Sequence, residues 1–195
     1  MTSETDLARI SRIGDSVFAV TITLLAYRVH IPGQDVLTSG DAAALAPFFR
    51  DLGAVALSVF VASMFYVSHW RVFRRMRQSD VTFVVLNIVF LGALILLPIS
   101  TSLVSGDLTR FGTLAYSANL FFAATASLFL RRHARRIDSQ AFGSGRLLLT
   151  PAISIAFFGA AFVASFYSPT ASLALWLCTI VNPWIDRRWG IGPSA

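Results

Sequence analysis

Arg9-Ile10-Ser11-Arg12-Ile13-Gly14-Asp15-Ser16-Val17-Phe18-Ala19-Val20-Thr21-Ile22-Thr23-Leu24-Leu25-Ala26-Tyr27-Arg28-Val29-His30-Ile31-Pro32 contains the first long apolar run of the chain. As a helix, its 13–31 portion is long enough to cross the hydrocarbon core of a bilayer, which takes about 20 residues. A basic pair, Arg9 and Arg12, precedes the run, and Pro32 closes it. Asp15 stands one turn inside, and Thr21 and Thr23 lie near the middle. An acid within a spanning segment is costly, so Asp15 is expected to face a protein interior or a water path rather than lipid.

The composition extends this reading to the whole chain. Of 195 residues, 55% are hydrophobic and only 13% are charged. A soluble domain of this size carries about 25% charged residues. The class is therefore an integral membrane protein. The single Cys178 lies in an apolar run and has no second cysteine to pair with. The N-terminus has Glu4 and Asp6 in place of a positive leader, and no small-residue cleavage site follows the run. The first helix is accordingly expected to remain in the mature protein.

Six apolar segments are predicted to span, at about 13–31, 51–70, 81–103, 112–130, 147–167 and 170–185. Pro98 is expected to kink the third, and Ser168-Pro169 allows only a tight turn between the fifth and sixth. The stretch 32–50 reads as an outer loop. All 16 basic residues are arginine, and 13 of them fall on one side: Arg9, Arg12, Arg71, Arg74, Arg75, Arg77, Arg131, Arg132, Arg135, Arg136, Arg146, Arg187 and Arg188. The positive-inside rule then places both termini in the cytoplasm. Residues 1–195 make one six-helix domain, with cytoplasmic tails at 1–12 and 186–195. Topology and anionic lipid account for the formal charge of +6, so no nucleic-acid partner is expected. Phe48-Phe49, Trp70, Trp184 and Trp189 suit interfacial aromatic belts.

On the first helix, Ile13, Val17, Val20, Leu24, Tyr27 and Ile31 follow steps of four and three and form one stripe. The stripe either packs inside its own bundle or, with several copies around an axis, lines a pore. In a pore, rings of apolar side chains gate by wetting and dewetting. Thr23 stands beside the stripe, where an oxygen can replace part of an ion's water shell. Asp15 is either a helix-end acid paired with Arg12 or part of a network with Arg9, His69 and Asn87, all predicted at one membrane depth. HExxH and CxxC spacings are absent, and no Ser-His-Asp arrangement is visible. Neither an enzyme nor a cofactor is required.

These residues resemble the signature of the endosomal–lysosomal potassium channel family, in its bacterial single-repeat, six-helix form. That signature reads R-x-x-x-F-S-D, then an apolar stretch ending in T-L-L. Arg9, Asp15 and Thr23-Leu24-Leu25 stand at those positions. Ser58-Val59-Phe60 through Tyr66-Val67-Ser68-His69 is similar to the family's S-F…W-x-x-H, with Tyr66 for the Trp. Leu86-Asn87-Ile88-Val89-Phe90-Leu91 with Leu97-Pro98-Ile99-Ser100-Thr101 is similar to L-N-x-x-F-L…P-x-x-T. The likeness covers about residues 9 to 105; the last three helices match in hydropathy alone.

The resemblance implies a homotetramer in the cell membrane, with the first helix of each subunit lining a pore for passive potassium flow. It places the apolar constriction at Val20, Leu24 and Tyr27, cation selectivity at Thr23, and gate support at Arg9, Asp15, His69 and Asn87. Two departures stand out. Ile13-Gly14-Asp15 replaces F-S-D, which removes a hydroxyl. Arg28 sits at the outer mouth where an acid is common, near His30, which is either interfacial or pH-sensitive. Arg28 is expected to point away from the axis, toward Asp35 or Asp41, or to alter conduction. A proton-coupled or other secondary transporter and a non-conducting scaffold are the alternatives.

Overall fold

The computed structural model describes residues 4–105, 108–142 and 148–179, and among these there are helices and no strands. Eight helices are present: α1 Glu4–Ala26, α2 Gln34–Ser39, α3 Ala42–Phe73, α4 Val81–Ile95, α5 Leu97–Val104, α6 Arg110–Ile137, α7 Leu149–Ser165 and α8 Pro169–Cys178. Three stretches are long and apolar enough to cross a membrane: α3, the combined α4–α5 (Val81–Val104) and α6. Helices α7 and α8 are shorter and apolar.

The helix boundaries differ from the expected ones for local reasons. α1 starts at Glu4, so most of the predicted tail is helical, and it ends at Ala26 rather than near Ile31. Its last turn tightens, with Arg28 N–H donating to Leu25 O (3.2 Å) and Val29 N–H to Ala26 O (3.4 Å). Such three-residue bonds finish a helix, and Pro32 restricts Ile31 before it to extended backbone. Tyr27 therefore lies just beyond the helix that was expected to carry it. The predicted loop 32–50 is largely helical: α2 occupies part of it, and α3 begins at Ala42. Gly40 joins the two with a left-handed φ of 63°, a conformation glycine adopts without steric cost. Asp41 caps α3 by accepting from Ala43 N–H at 2.9 Å.

The third predicted span is broken as Pro98 requires, between α4 and α5 at Leu96. Pro98 falls in the first turn of α5, where its missing N–H costs least. α6 extends beyond 130 to Ile137, and α8 follows α7 after the expected tight turn at Ser168-Pro169. The far end of the predicted sixth span, with Trp184, Trp189, Arg187 and Arg188, lies outside the described residues, as do Arg146 and the tail 186–195.

Packing places α1 against α3, α4 and α5, while α6 packs on α4, α5 and α7, and α7 packs on α8. One apolar core includes Phe18, Leu25, Phe65, Phe90, Leu94, Tyr116, Phe158 and Trp176. A second, at the arginine-rich end, joins Leu7, Val72, Phe73, Met76, Phe83 and Leu130. At Gly112 the α5 and α6 backbones meet so closely that a Cβ would collide with the Leu103 carbonyl.

Candidate functional site: the first helix and its inner support

α1 presents two distinct faces. Leu7, Gly14, Phe18, Thr21 and Leu25 are buried, on the spacing of one helical side. They seat α1 on the bundle. The expected stripe is not on that side. Ile13 and Val20 are each 58% exposed and Leu24 is 48% exposed, while Val17 is half-buried. Ile13, Val20 and Leu24 are therefore not spent on packing within their own protomer, whereas Val17 packs against its core. Tyr27, on the closing turn, is 87% exposed. Thr23 is exposed, and its hydroxyl donates to Ala19 O at 2.9 Å, which leaves its oxygen lone pairs outward.

The polar residues expected to gather at the inner end are brought together in part. His69 and Asn87 are both buried, and His69 Nε2 lies 2.8 Å from Asn87 Oδ1. The His69 ring stacks on Phe90 (centroids 5.4 Å apart, planes at 17°) and lies against Phe73 and Phe18 at 4.5 and 5.7 Å. Gly14 explains why a small residue replaces the hydroxyl there: a Cβ would sit 2.9 Å from His69 Cε1. Asp15 and Arg9 are exposed, and among the described residues neither shares the His69–Asn87 hydrogen bond. Asp15 shares a flank of α1 with Ser11 and Ile22 rather than with the stripe. It is near enough to act on His69 electrostatically, as is Arg131 with the opposite sign.

Other polar contacts fix the surrounding helices. Ser58 Oγ accepts from Thr101 Oγ1 at 2.8 Å and lies 2.9 Å from the Tyr116 hydroxyl, tying α3, α5 and α6. Trp176 Nε1 donates to Ser117 Oγ at 3.0 Å, and Ser165 and Ser172 hydroxyls meet at 2.9 Å, tying α6, α7 and α8. At the arginine-rich end Asp80 caps α4, accepting from Phe83 N–H at 2.8 Å, and its carboxylate also meets His133 Nε2 at 2.8 and 2.9 Å. Desolvation pushes the Asp80 pKa up, but the Phe83 N–H and then His133 outweigh it and hold the carboxyl below its usual value. At the opposite end of the bundle His30 Nδ1 is 3.4 Å from the buried Asp51 carboxylate. Arg28 is exposed, and among the described residues neither Asp35 nor Asp41 pairs with it.

Comparison with known proteins places this arrangement. Residues 9–98 match the family described as endosomal/lysosomal potassium channel TMEM175. The matched residues lie within the first half of the chain. In fold, the chain is similar to the crystal structure of a lysosomal potassium-selective channel TMEM175 homolog from Chamaesiphon minutus, with a TM-score of 0.81. The two share 22% identity, and the likeness covers 96% of this chain and 100% of that one. No curated protein matches. The family and that solved structure are both described as potassium channels, and the structural likeness itself is one of fold.

The matched residues include His69, Asn87 and Ser58, and Thr101, which donates to Ser58, lies three residues beyond them. Tyr116 and Arg131, which the motifs do not contain, complete the setting. Arg131 is 5% exposed, although the arginine count had placed it on the inner surface. Its spacing from Ser127 and Ala134, both buried, was the available signal. Among the described residues, no three His, Cys, Asp or Glu side chains are placed to hold a metal ion.

Proposed function

We propose that the chain forms a potassium channel in the cell membrane, a homotetramer in which four copies of α1 surround a passive ion path. The observation that carries this reading is the unpartnered stripe on α1. Ile13, Val20 and Leu24 stay exposed while a separate side of the same helix seats it on the bundle. One helix cannot enclose water, so the stripe needs symmetry-related copies. Val20 and Leu24 then form apolar rings that close the path by dewetting, and Tyr27 stands as the collar just outside them. Thr23 lies beside Val20 and Leu24 and offers its free lone pairs to a partly dehydrated cation. The His69–Asn87 pair, with Gly14 pressed against the ring, holds the inner half of α1, and Asp15 and Arg9 set the charge around it. Arg28 and His30 stand at the outer mouth. The arginine-rich end faces the cytoplasm, with both termini on that side.

Flux from liposomes loaded with potassium or sodium tests this reading. The parent chain is expected to pass potassium faster than sodium, with no dependence on a proton gradient. Thr23→Ala is expected to lose the preference while still conducting. Absence of flux in the parent would overturn the channel, and strict dependence on a proton gradient would mark a coupled transporter instead.

A further inference from the structure

Between the first turns of α1 and the end of α3 lies a groove of about 310 Å³, lined by Leu7, Ala8, Ser11, Trp70, Phe73, Arg74 and Met76. Its floor is apolar: Leu7, Phe73 and Met76 are buried. Its rim carries one cation. The Arg74 guanidinium lies over the Trp70 ring, 5.0 Å from the centroid. Trp70 is itself partly exposed, as expected of a tryptophan at headgroup depth. Among the described residues no acid lines the groove; Asp15 sits one turn deeper on α1 than Ser11 and is not part of it.

We propose that this groove is a binding site for an anionic phospholipid of the leaflet that meets the arginine-rich end. A phosphate matches the fork of N–H donors on a guanidinium. The Trp70 ring holds that guanidinium by one face, leaving its donor edge available. Among the described residues no carboxylate pairs with Arg74. The glycerol and the start of an acyl chain cover Leu7, Phe73 and Met76. A soluble phosphate gains nothing from that apolar floor, whereas a lipid satisfies both ends at once. The site clasps α1 to the end of α3, beside the seat of His69, so lipid composition acts on the position of α1. The inference stands without the pore reading, because it rests on one protomer.

Trp70 provides the readout. The full chain is reconstituted in phosphatidylcholine vesicles containing a minor share of acyl-brominated phosphatidylglycerol or, in parallel, acyl-brominated phosphatidylcholine. The Trp70 emission is taken as the difference between the parent and Trp70→Phe. The expected result is stronger quenching by the anionic lipid, with the excess removed in R74Q and reduced by salt. Equal quenching by both lipids in the parent would overturn the proposal and mark an ordinary lipid-facing surface. Quenching by neither would also overturn it, because another chain then covers the groove. The comparison of headgroups in the parent decides the matter even if R74Q fails to fold. In a folded R74Q, persistence of the excess would remove Arg74 from the site.

Discussion

At the scale of single residues, the structure separates side chains that hold α1 from those it leaves for another role. Leu24 is among the latter, so Leu24→Ser is expected to preserve the fold. If Leu24 forms a dewetting ring, the serine raises resting flux on the order of tenfold, equal to about 1.4 kcal/mol off the barrier; single-channel recording checks this. Gly14 belongs to the holding set. Gly14→Ala forces a methyl to within 2.9 Å of His69 Cε1, and overpacking of this kind costs about 1–3 kcal/mol. A lower melting temperature in detergent is the expected outcome. Asn87→Leu removes the one hydrogen-bond partner that the buried His69 ring has among the described residues. An interhelical bond in a membrane contributes about 0.6 kcal/mol on average and up to about 1.7, so a smaller fall in melting temperature is expected than for Gly14→Ala. The Gly14 substitution was visible in the sequence only as a lost hydroxyl. That it admits an aromatic ring became apparent from the distance between two helices, which no local pattern encodes.

At the scale of elements, much of the architecture was legible because hydropathy and proline act locally. Pro98 broke the third span, Ser168-Pro169 made the turn between α7 and α8, and the apolar runs became helices. The ends of α1 were not legible. Its start at Glu4 lies among polar residues, and its finish at Ala26 depends on a tightened last turn rather than on the apolar pattern, which continues to Ile31. The outer stretch 32–50 was read as loop because its glycines and prolines signal turns. The Asp41 cap nevertheless starts a helix at Ala42. The start of α4 carries a pH prediction. Asp80 is held below its usual value, so its folded form is favoured when ionised. That contribution is fully present above 3.8 and fades as pH falls below it. Acid melting of the parent is expected to converge with that of Asp80→Ala in this range. At neutral pH the variant loses roughly 1 kcal/mol, as a lost helix cap does.

At the scale of the whole molecule, the assembly is the central expectation. Native mass spectrometry in detergent is expected to find four protomers, and Val20→Asp, which places four acids around one axis, is expected to disperse them while leaving each protomer helical. A monomeric parent would remove the reason for an exposed stripe on α1. The sequence motifs stop where α6 begins, and the packing gives a reason: α1 rests on α3, α4 and α5, whereas α7 and α8 are fastened to α6. The neighbours Tyr116 and Ser117 on α6 link the two halves: the Tyr116 hydroxyl meets Ser58 while its ring packs edge-on against Trp176, which donates to Ser117 Oγ. Helix α6 is thus the main joint, with Phe65 on α3 also meeting Phe158 on α7 at 6.4 Å between ring centroids. The exposed positions of α7 and α8, such as Val163 and Leu177, are accordingly the place to graft a fluorophore or an affinity handle without disturbing the half that carries α1.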